Sequence, residues 1–184
     1  THDLGNGFTA DAKGEWALNM LDGGDESFTT RLGYVGLSHD DYGRAAVGTQ
    51  WAPYYNVAGV ADMPIAFAND FIYDDHGNLG TGRADKMLSY RNAIELGEAG
   101  VINFGLGRQG ANDDYTRNDA GVITGGAKHD DRVQAALSYS IMGAKIGYSY
   151  NGGDFQHPAY AGKHTAESHV VSASYGAYGQ GLFL

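Results

Sequence analysis

The amino-acid sequence predicts an all-β chain, and three observations lead to this fold class. Short segments alternate apolar and polar residues with a period of two, which is typical of strands. No run of eighteen apolar residues occurs, so a transmembrane helix is excluded. Short turns and longer loops alternate along the chain. Together these features favour a transmembrane antiparallel β-barrel, whose long loops gather at one end, over a soluble β-protein.

Eight segments carry the strand pattern, and an Asn6-Gly7 hairpin signal precedes the first. In the second segment, Leu32, Tyr34 and Gly36 alternate with Arg31, Gly33 and Val35, which predicts opposite faces. In the fourth, Lys86 and Met87 interrupt the alternation. The predicted strands are Phe8–Met20, Thr29–Ser38, Arg44–Trp51, Arg83–Asn92, Val101–Gln109, 133–140, 145–151 and Ser168–Tyr175.

The connections between these strands alternate in length. Short turns are predicted at 39–42, 97–100, 141–143 and 176–180, and longer loops at 20–28, 52–82, 110–131 and 152–165. The loop at 52–82 has about thirty residues, far more than a usual connection. Its middle is apolar and carries the acids Asp62 and Asp70, whereas the strands beside it present Arg44, Arg83 and Arg91. We therefore expect this loop to pack against the sheet and to form a charged constriction.

Composition narrows the functional classes. The 184 residues carry a net charge of −10, which argues against nucleic acid as a partner. The absence of cysteine excludes disulfides, thiolate metal sites and cysteine nucleophiles. The 29 glycines and 13 tyrosines beside only 3 prolines suit many closely spaced strands. Without an initiator Met or a signal peptide, the sequence is expected to be processed or incomplete.

Four stretches resemble the general-diffusion porins of Gram-negative outer membranes. They are HDLGNGFTADAKGEW, TTRLGYVGLSHDDYGRAAVGTQWAPYY, VADMPIAFAND and TGRADKMLSYRN. The resemblance implies a sixteen-stranded barrel that assembles as a homotrimer, each protomer being an aqueous pore narrowed by its third loop. It also implies that residues 1–184 form a single partial barrel domain, about half of the whole, with the inward-folded loop at about 52–82.

The resemblance also implies a set of pore residues. The wall arginines of the family match three arginines here, two loop acids match two aspartates, and a further loop acid of the enteric pattern falls on Ala66. Glu15, on the polar face of its strand, is a plausible additional acid of the lumen. The predicted constriction therefore consists of Arg31, Arg44, Arg83, Asp62, Asp70 and Glu15.

The leading hypothesis is a passive outer-membrane channel for ions and small hydrophilic solutes, without cofactor or catalytic site. Its expected surroundings are the lipid bilayer and lipopolysaccharide. An alternative is an oligosaccharide-selective porin, for which Tyr54, Tyr55, Phe67 and Phe71 are the candidate sugar-stacking residues. A remote alternative is a soluble β-sandwich binding module.

Several motifs favour structural over functional interpretations. Gly105–Gly110 fits GxGxxG, but no helix pattern follows it, so a dinucleotide site is not expected. Clusters of His and Asp at 39–41, 74–76 and 129–131 are typical of turns. The best functional interpretation of these clusters is a site for a calcium or magnesium ion that bridges lipopolysaccharide. Trp16 and Trp51 are predicted to belong to a lipid-facing aromatic girdle.

Overall fold

The computed structural model describes residues 1–18, 28–61, 79–177 and 180–183. Almost all of its regular structure is β, as predicted. Short helical turns follow the fourth strand, as helix α1 (Tyr55–Ala58) and the 3-10 helix Gly59–Ala61, and another 3-10 turn spans Gly97–Ala99. The strands are β1 (His2–Gly5), β2 (Phe8–Leu18), β3 (Phe28–His39), β4 (Gly43–Trp51), β5 (Arg83–Glu95), β6 (Val101–Gln109), β7 (Asn112–Asp113), β8 (Thr116–Arg117), β9 (Ile123–Gly125), β10 (Lys128–Ile141), β11 (Ala144–Gln156), β12 (His164–Ala177) and β13 (Gln180–Phe183).

The strands form an antiparallel sheet in which successive strands are neighbours, except that β10 and not β7 lies beside β6. Its order is β1-β2-β3-β4-β5-β6-β10-β11-β12-β13, with β7 paired to β10 and β8–β9 forming a separate hairpin. The tightest turns have positive φ at both central residues, 51° and 80° at Asn6-Gly7 and 48° and 80° at Met142-Gly143. This is the backbone that two-residue hairpins require. Because every pairing is antiparallel, successive connections lie at opposite ends of the sheet.

Several predicted loops contain more strand than expected. Residues 110–131 hold the short strands β7–β9 and the start of β10. The loop predicted at 152–165 is reduced to 157–163, because β11 continues to Gln156 and β12 begins at His164. Glycines in β11 lack the alternating side chains on which the strand pattern depends, so the pattern missed its end. Residues 19–20 of the first predicted strand lie outside the described residues.

A β-bulge corrects the predicted faces of β3. Glu15 of β2 pairs with Leu32 and Trp16 pairs with Thr30, so Arg31 is left between them. Because of this extra residue, Arg31 reaches the carboxylate of Glu15. The next residue, Leu32, lies on the same side of the sheet as Glu15 and is 2% exposed. The prediction that Arg31 and Leu32 lie on opposite faces is therefore wrong. A second irregularity explains the interruption in β5, where Lys86 has φ of 47°.

The two faces of the sheet have inverted burial. On one side, here called the apolar face, large hydrophobic side chains are exposed: Val35 56%, Val47 51%, Leu88 57%, Leu106 54%, Ile146 56% and Val171 71%. On the other side, the polar face, hydrophilic side chains are buried: Gln50 3%, Ser89 2%, Gln134 3%, Ser149 0% and Asn151 1%. This is the arrangement of a sheet whose apolar face meets lipid and whose polar face is internal.

No helix in the described part of the chain is long and apolar enough to cross a membrane.

Candidate functional site

The polar face is organised around one row of residues that crosses eight strands. Each member pairs with the next across the sheet, so their side chains point to the same side. Charged groups lie at the β2 end of the row, and neutral hydrogen-bonding groups lie at the β12 end. The row consists of Asp11, Gly36, Ala46, Ser89, Gly107, Gln134, Asn151 and Ser168.

At the charged end, Arg44 of β4 forms a bidentate ion pair with Asp11 of β2. Its two Nη atoms donate to the two carboxylate oxygens at 2.6 and 2.9 Å. The strands are not neighbours, because β3 lies between them, so Arg44 crosses β3 at Gly36. A Cβ at Gly36 would lie only 2.6 Å from Cζ of Arg44. The missing side chain of Gly36 therefore makes room for the ion pair.

A second charged group lies nearer the long connection. Arg31 Nε donates to Glu15 at 2.9 Å, and Lys13 Nζ lies 3.1 Å from the other carboxylate oxygen. One acid thus faces two cations. Arg83 lies over the ring of Trp51 at 5.8 Å, and its buried Nε has no hydrogen-bond partner among the residues that the structure describes.

The structure thus brings two of the predicted arginines, Arg31 and Arg44, onto the polar face, each with an acid of the sheet. Glu15 has the wall position that its strand predicted. Asp62 and Asp70 lie outside the described residues, so their distance from the arginines stays a prediction, and every role in the constriction is a proposal. Pairing within the wall makes this cluster less positive than three unpaired arginines would be.

Sequence reasoning missed three charged residues of the polar face, Asp11, Lys13 and Arg132, and left Arg91 out of the predicted constriction although it had placed this arginine beside the long loop. Arg91 pairs with Arg44 in the sheet register and donates to the side chains of Ser89, at 2.7 Å, and Gln50, at 3.1 Å. Arg132, with 2% exposure, donates to the carbonyl of Ala166 at 2.9 Å. The alternation of β2 could have indicated Asp11 and Lys13, since both share the face of Glu15.

At the neutral end, the outgoing limb of the 52–82 connection is held on the polar face of β10–β12. The amide of Tyr54 donates to Gln134 Oε1 at 3.1 Å, and the carbonyl of Tyr54 accepts from Ser149 at 3.2 Å. The hydroxyl of Tyr54 lies 2.6 Å from that of Ser168. Lys145 donates to the carbonyl of Asn56 at 3.1 Å. The connection leaves β4 and crosses several strands before it is anchored.

The returning limb is anchored beside it. The side-chain amide of Asn151 donates to the carbonyl of Leu79 at 2.7 Å, and that of Gln134 donates to the carbonyl of Gly80 at 2.5 Å. The two limbs also meet directly, since the amide of Ala52 donates to the carbonyl of Gly82 at 2.8 Å. The described parts of the connection, 52–61 and 79–82, therefore lie over the neutral half of the polar face.

Close packing under the outgoing limb depends on small residues in the sheet. Val57 of α1 is 1% exposed and lies against Gly147 of β11, where a Cβ would be 3.0 Å from Val57 Cγ2. Pro53 lies in the same way against Gly107 of β6. A larger residue at either glycine would push the limb away from the sheet.

The structure gives little support to the predicted sugar-stacking residues and metal sites. Tyr54 is 4% exposed and hydrogen-bonded, and Tyr55 stacks on Trp51 at 4.3 Å, so neither presents a free ring to a sugar. Phe67 and Phe71 lie outside the described residues. Within the described ranges, no three His, Asp or Glu side chains come together in a way that could hold a metal ion.

Comparisons with known proteins agree with this architecture. The family model for Gram-negative porins matches residues 1–180. The chain is 30% identical to outer membrane protein S2 of Salmonella typhi over 155 residues, which are 77% of the chain and 40% of that protein. It is 31% identical to outer membrane porin N of Escherichia coli over 149 residues, 77% of the chain and 39% of that protein.

A solved structure shows the same fold. OmpF of Salmonella typhi, in its complex with daunomycin, matches with a TM-score of 0.75 at 23% identity, over 95% of this chain and 52% of that one. The chain spans about two fifths of the length of the curated relatives, at 40% and 39%. These relatives are outer-membrane proteins, which assigns this protein to the outer membrane of a Gram-negative bacterium. A match over nearly all of its residues shows that the chain belongs to the Gram-negative porin family.

Proposed function

We propose that the full-length protein is a passive, water-filled channel for ions and small hydrophilic solutes across the outer membrane. The observation that carries this proposal is the polar face, which holds paired charges and buried hydrogen-bonding groups behind an exposed apolar face. A sheet with this polarity lines an aqueous lumen when it closes into a barrel. The family match supports the same function.

In this proposal the 52–82 connection narrows the lumen. Support comes from its two described limbs, which lie on the polar face and are bonded to β10, β11 and β12. Solutes are sieved by size at the loop. Charge selection arises between the arginines Arg31, Arg44 and Arg83 and the acids Glu15, Asp62 and Asp70, because rings of charged side chains set weak selectivity in wide pores.

Ion pairing within the wall makes this selectivity weak. Asp11 and Glu15 each neutralise an arginine, so the wall contributes little net positive charge near β2–β4. We also propose that the protein functions as a homotrimer surrounded by lipid and lipopolysaccharide. Membership of the porin family supports that assembly.

Reconstitution of the full-length protein in planar lipid bilayers tests the proposal. We expect stepwise increases in an ohmic current. The channels should close in groups of three, one for each protomer. Conductance should scale with bulk salt, because the ions keep most of their hydration in a wide pore. A correctly folded, membrane-inserted protein that passes no current would overturn the function. Current in independent single steps would overturn the trimer alone.

A further inference from the structure

One side chain is bonded to both limbs of the 52–82 connection. Gln134 lies on β10, in the cross-sheet row of the polar face, and is 3% exposed. Its Oε1 accepts from the amide of Tyr54 on the outgoing limb at 3.1 Å. Its Nε2 donates to the carbonyl of Gly80 on the returning limb at 2.5 Å. The other anchors described above each bond one limb: Ser149, Ser168 and Lys145 bond the outgoing limb, and Asn151 bonds the returning limb.

The chemistry of the two partners fixes the orientation of this amide. A backbone N–H can only donate, so it requires the oxygen of Gln134, and a backbone carbonyl can only accept, so it requires the nitrogen. A primary amide supplies both groups from one rigid plane. Leucine of similar size supplies neither, and serine is too short to span both limbs.

The returning limb is shaped for this contact. Gly80 has φ of 66°, in the left-handed region where glycine is favoured. A Cβ there would lie 2.8 Å from Gln134 Nε2 and would also clash with Oε1 of Gln109. Only a residue without a side chain lets the carbonyl of position 80 approach the amide of Gln134 in this backbone conformation.

We propose that Gln134 is the positioning residue that holds both ends of the connection together on the wall and so fixes the loop in the lumen. The described ends of the connection, at Tyr54 and Gly80, are then tied to one side chain. Because the loop narrows the pore in the proposed function, the width and steadiness of the open channel depend on this amide. The inference rests on that function only for its electrical consequence.

Three variants of the full-length protein separate the effects. Gln134→Leu removes both bonds, and Gly80→Ala acts from the returning limb, where its methyl group would press on the amide of Gln134. Ser138→Ala is the matched control, since Ser138 lies four residues along β10 on the same face with 6% exposure. Folding of each variant is first verified by its heat-modifiable mobility on gels and by circular dichroism.

Amide hydrogen exchange of the detergent-solubilised protein is the primary measurement. Loss of one hydrogen bond, at about 1 kcal/mol, corresponds to roughly fivefold faster local opening. We expect this increase in peptides covering both 52–58 and 79–82 for Gln134→Leu, and a larger increase in 79–82 than in 52–58 for Gly80→Ala. Ser138→Ala should match the wild type. Unchanged exchange at both limbs in Gln134→Leu would overturn the proposal.

Single-channel recording supplies the electrical consequence. Gln134→Leu should broaden the distribution of open conductances and increase brief closures, while Ser138→Ala should not. Exchange is measurable whether or not the protein conducts, so the two hypotheses fail separately. If the wild type passes no current but Gln134→Leu exchanges faster, the channel function is overturned and the positioning role of Gln134 stands. If the wild type conducts but exchange in Gln134→Leu is unchanged, the positioning role of Gln134 is overturned.

Discussion

The two faces of the sheet obey opposite rules. On the apolar face, Val35, Leu106 and Val171 are more than half exposed, and no other part of the described chain covers them. On the polar face, Gln134, Ser149 and Asn151 are almost fully buried and hydrogen-bonded. A protein that folded in water would reverse this arrangement, because burial of apolar surface is the main driving force there.

The difference shows where specificity resides in this fold. Side chains of the apolar face need only be apolar, so many substitutions there are equivalent. Several side chains of the polar face have a defined partner: Arg44 pairs with Asp11, Arg31 pairs with Glu15, and Gln134 bonds the loop. A change of one residue on the polar face should therefore have a larger effect than the same change on the apolar face.

The largest expected effect is the loss of stability when valine replaces a glycine of the polar face, compared with the same replacement on the apolar face. Gly147→Val on the polar face would press its side chain into Val57, where overpacking costs about 1–3 kcal/mol. Gly33→Val on β3 is the control, because the nearest atom to a Cβ there is 3.8 Å away. Thermal unfolding of the detergent-solubilised protein should show a lower Tm for Gly147→Val alone. Equal losses would contradict the distinction.

Removal of a charge on the polar face should have the next largest effect. Asp11→Asn leaves Arg44, 29% exposed in its side chain, without its anionic partner. We expect a loss of stability of about 1.5 kcal/mol, at the lower end of the range for hydrogen bonds to charged groups. The zero-current potential in a salt gradient should shift towards anion preference. The control is Glu98→Gln, at the exposed turn 97–99, and a shift of equal size there would contradict the account.

A substitution at Gly36 separates position from charge. Gly36→Ala would place a Cβ against the guanidinium of Arg44 and displace it from Asp11. Both charges stay on the polar face, so the zero-current potential should move much less than in Asp11→Asn, whereas stability should still fall. A potential shift as large as that of Asp11→Asn would show that geometry, and not net charge, sets the selectivity.

The smallest effect is expected at the loop 157–163, which lies outside both faces and is mostly exposed. Lys163 Nζ lies 2.5 Å from Asp130, and this hydrogen bond raises the pKa of Lys163 above its ordinary 10.5. The resulting stabilisation is present in full below pH 10.5 and is lost as the pH rises through the raised pKa.

Asp130→Asn should return the pKa of Lys163 towards its ordinary value. Titration of the lysine side-chain resonances by NMR in micelles measures this directly. Because the side chain of Lys163 is exposed, added salt should weaken the ion pair. The same pKa in both proteins would show that Asp130 is not the cause.

Much of the fold could be predicted from local pattern. The period of two located β6 to the residue, and Asn6-Gly7 identified the first turn, because both signals depend only on near neighbours in sequence. The arginines Arg31 and Arg44 could be assigned to the wall from the resemblance. The lengths of β11 and β12 were underestimated, since glycine and polar residues near the loop end do not alternate.

The pairing of the site could not be predicted, because it depends on the sheet as a whole. Asp11 and Arg44 meet across an intervening strand only because Gly36 leaves a gap, and no local pattern indicates such a contact. Arg31 shares the side of Leu32 because of a bulge. Gln134 lies far along the chain from Tyr54 and Gly80 and has an unremarkable place in an alternating strand.

Cysteine accessibility on a single strand tests the inverted sheet most directly. Asn103 and Leu106 of β6 are both exposed in this chain but lie on the polar and the apolar face, respectively. The chain contains no cysteine, so Asn103→Cys and Leu106→Cys each carry one thiol in it. In the membrane-inserted full-length protein, a hydrophilic maleimide should label Cys at 103 and not at 106, with both labelled after denaturation. Equal labelling of the two, or labelling of 106 alone, would contradict a water-filled polar face.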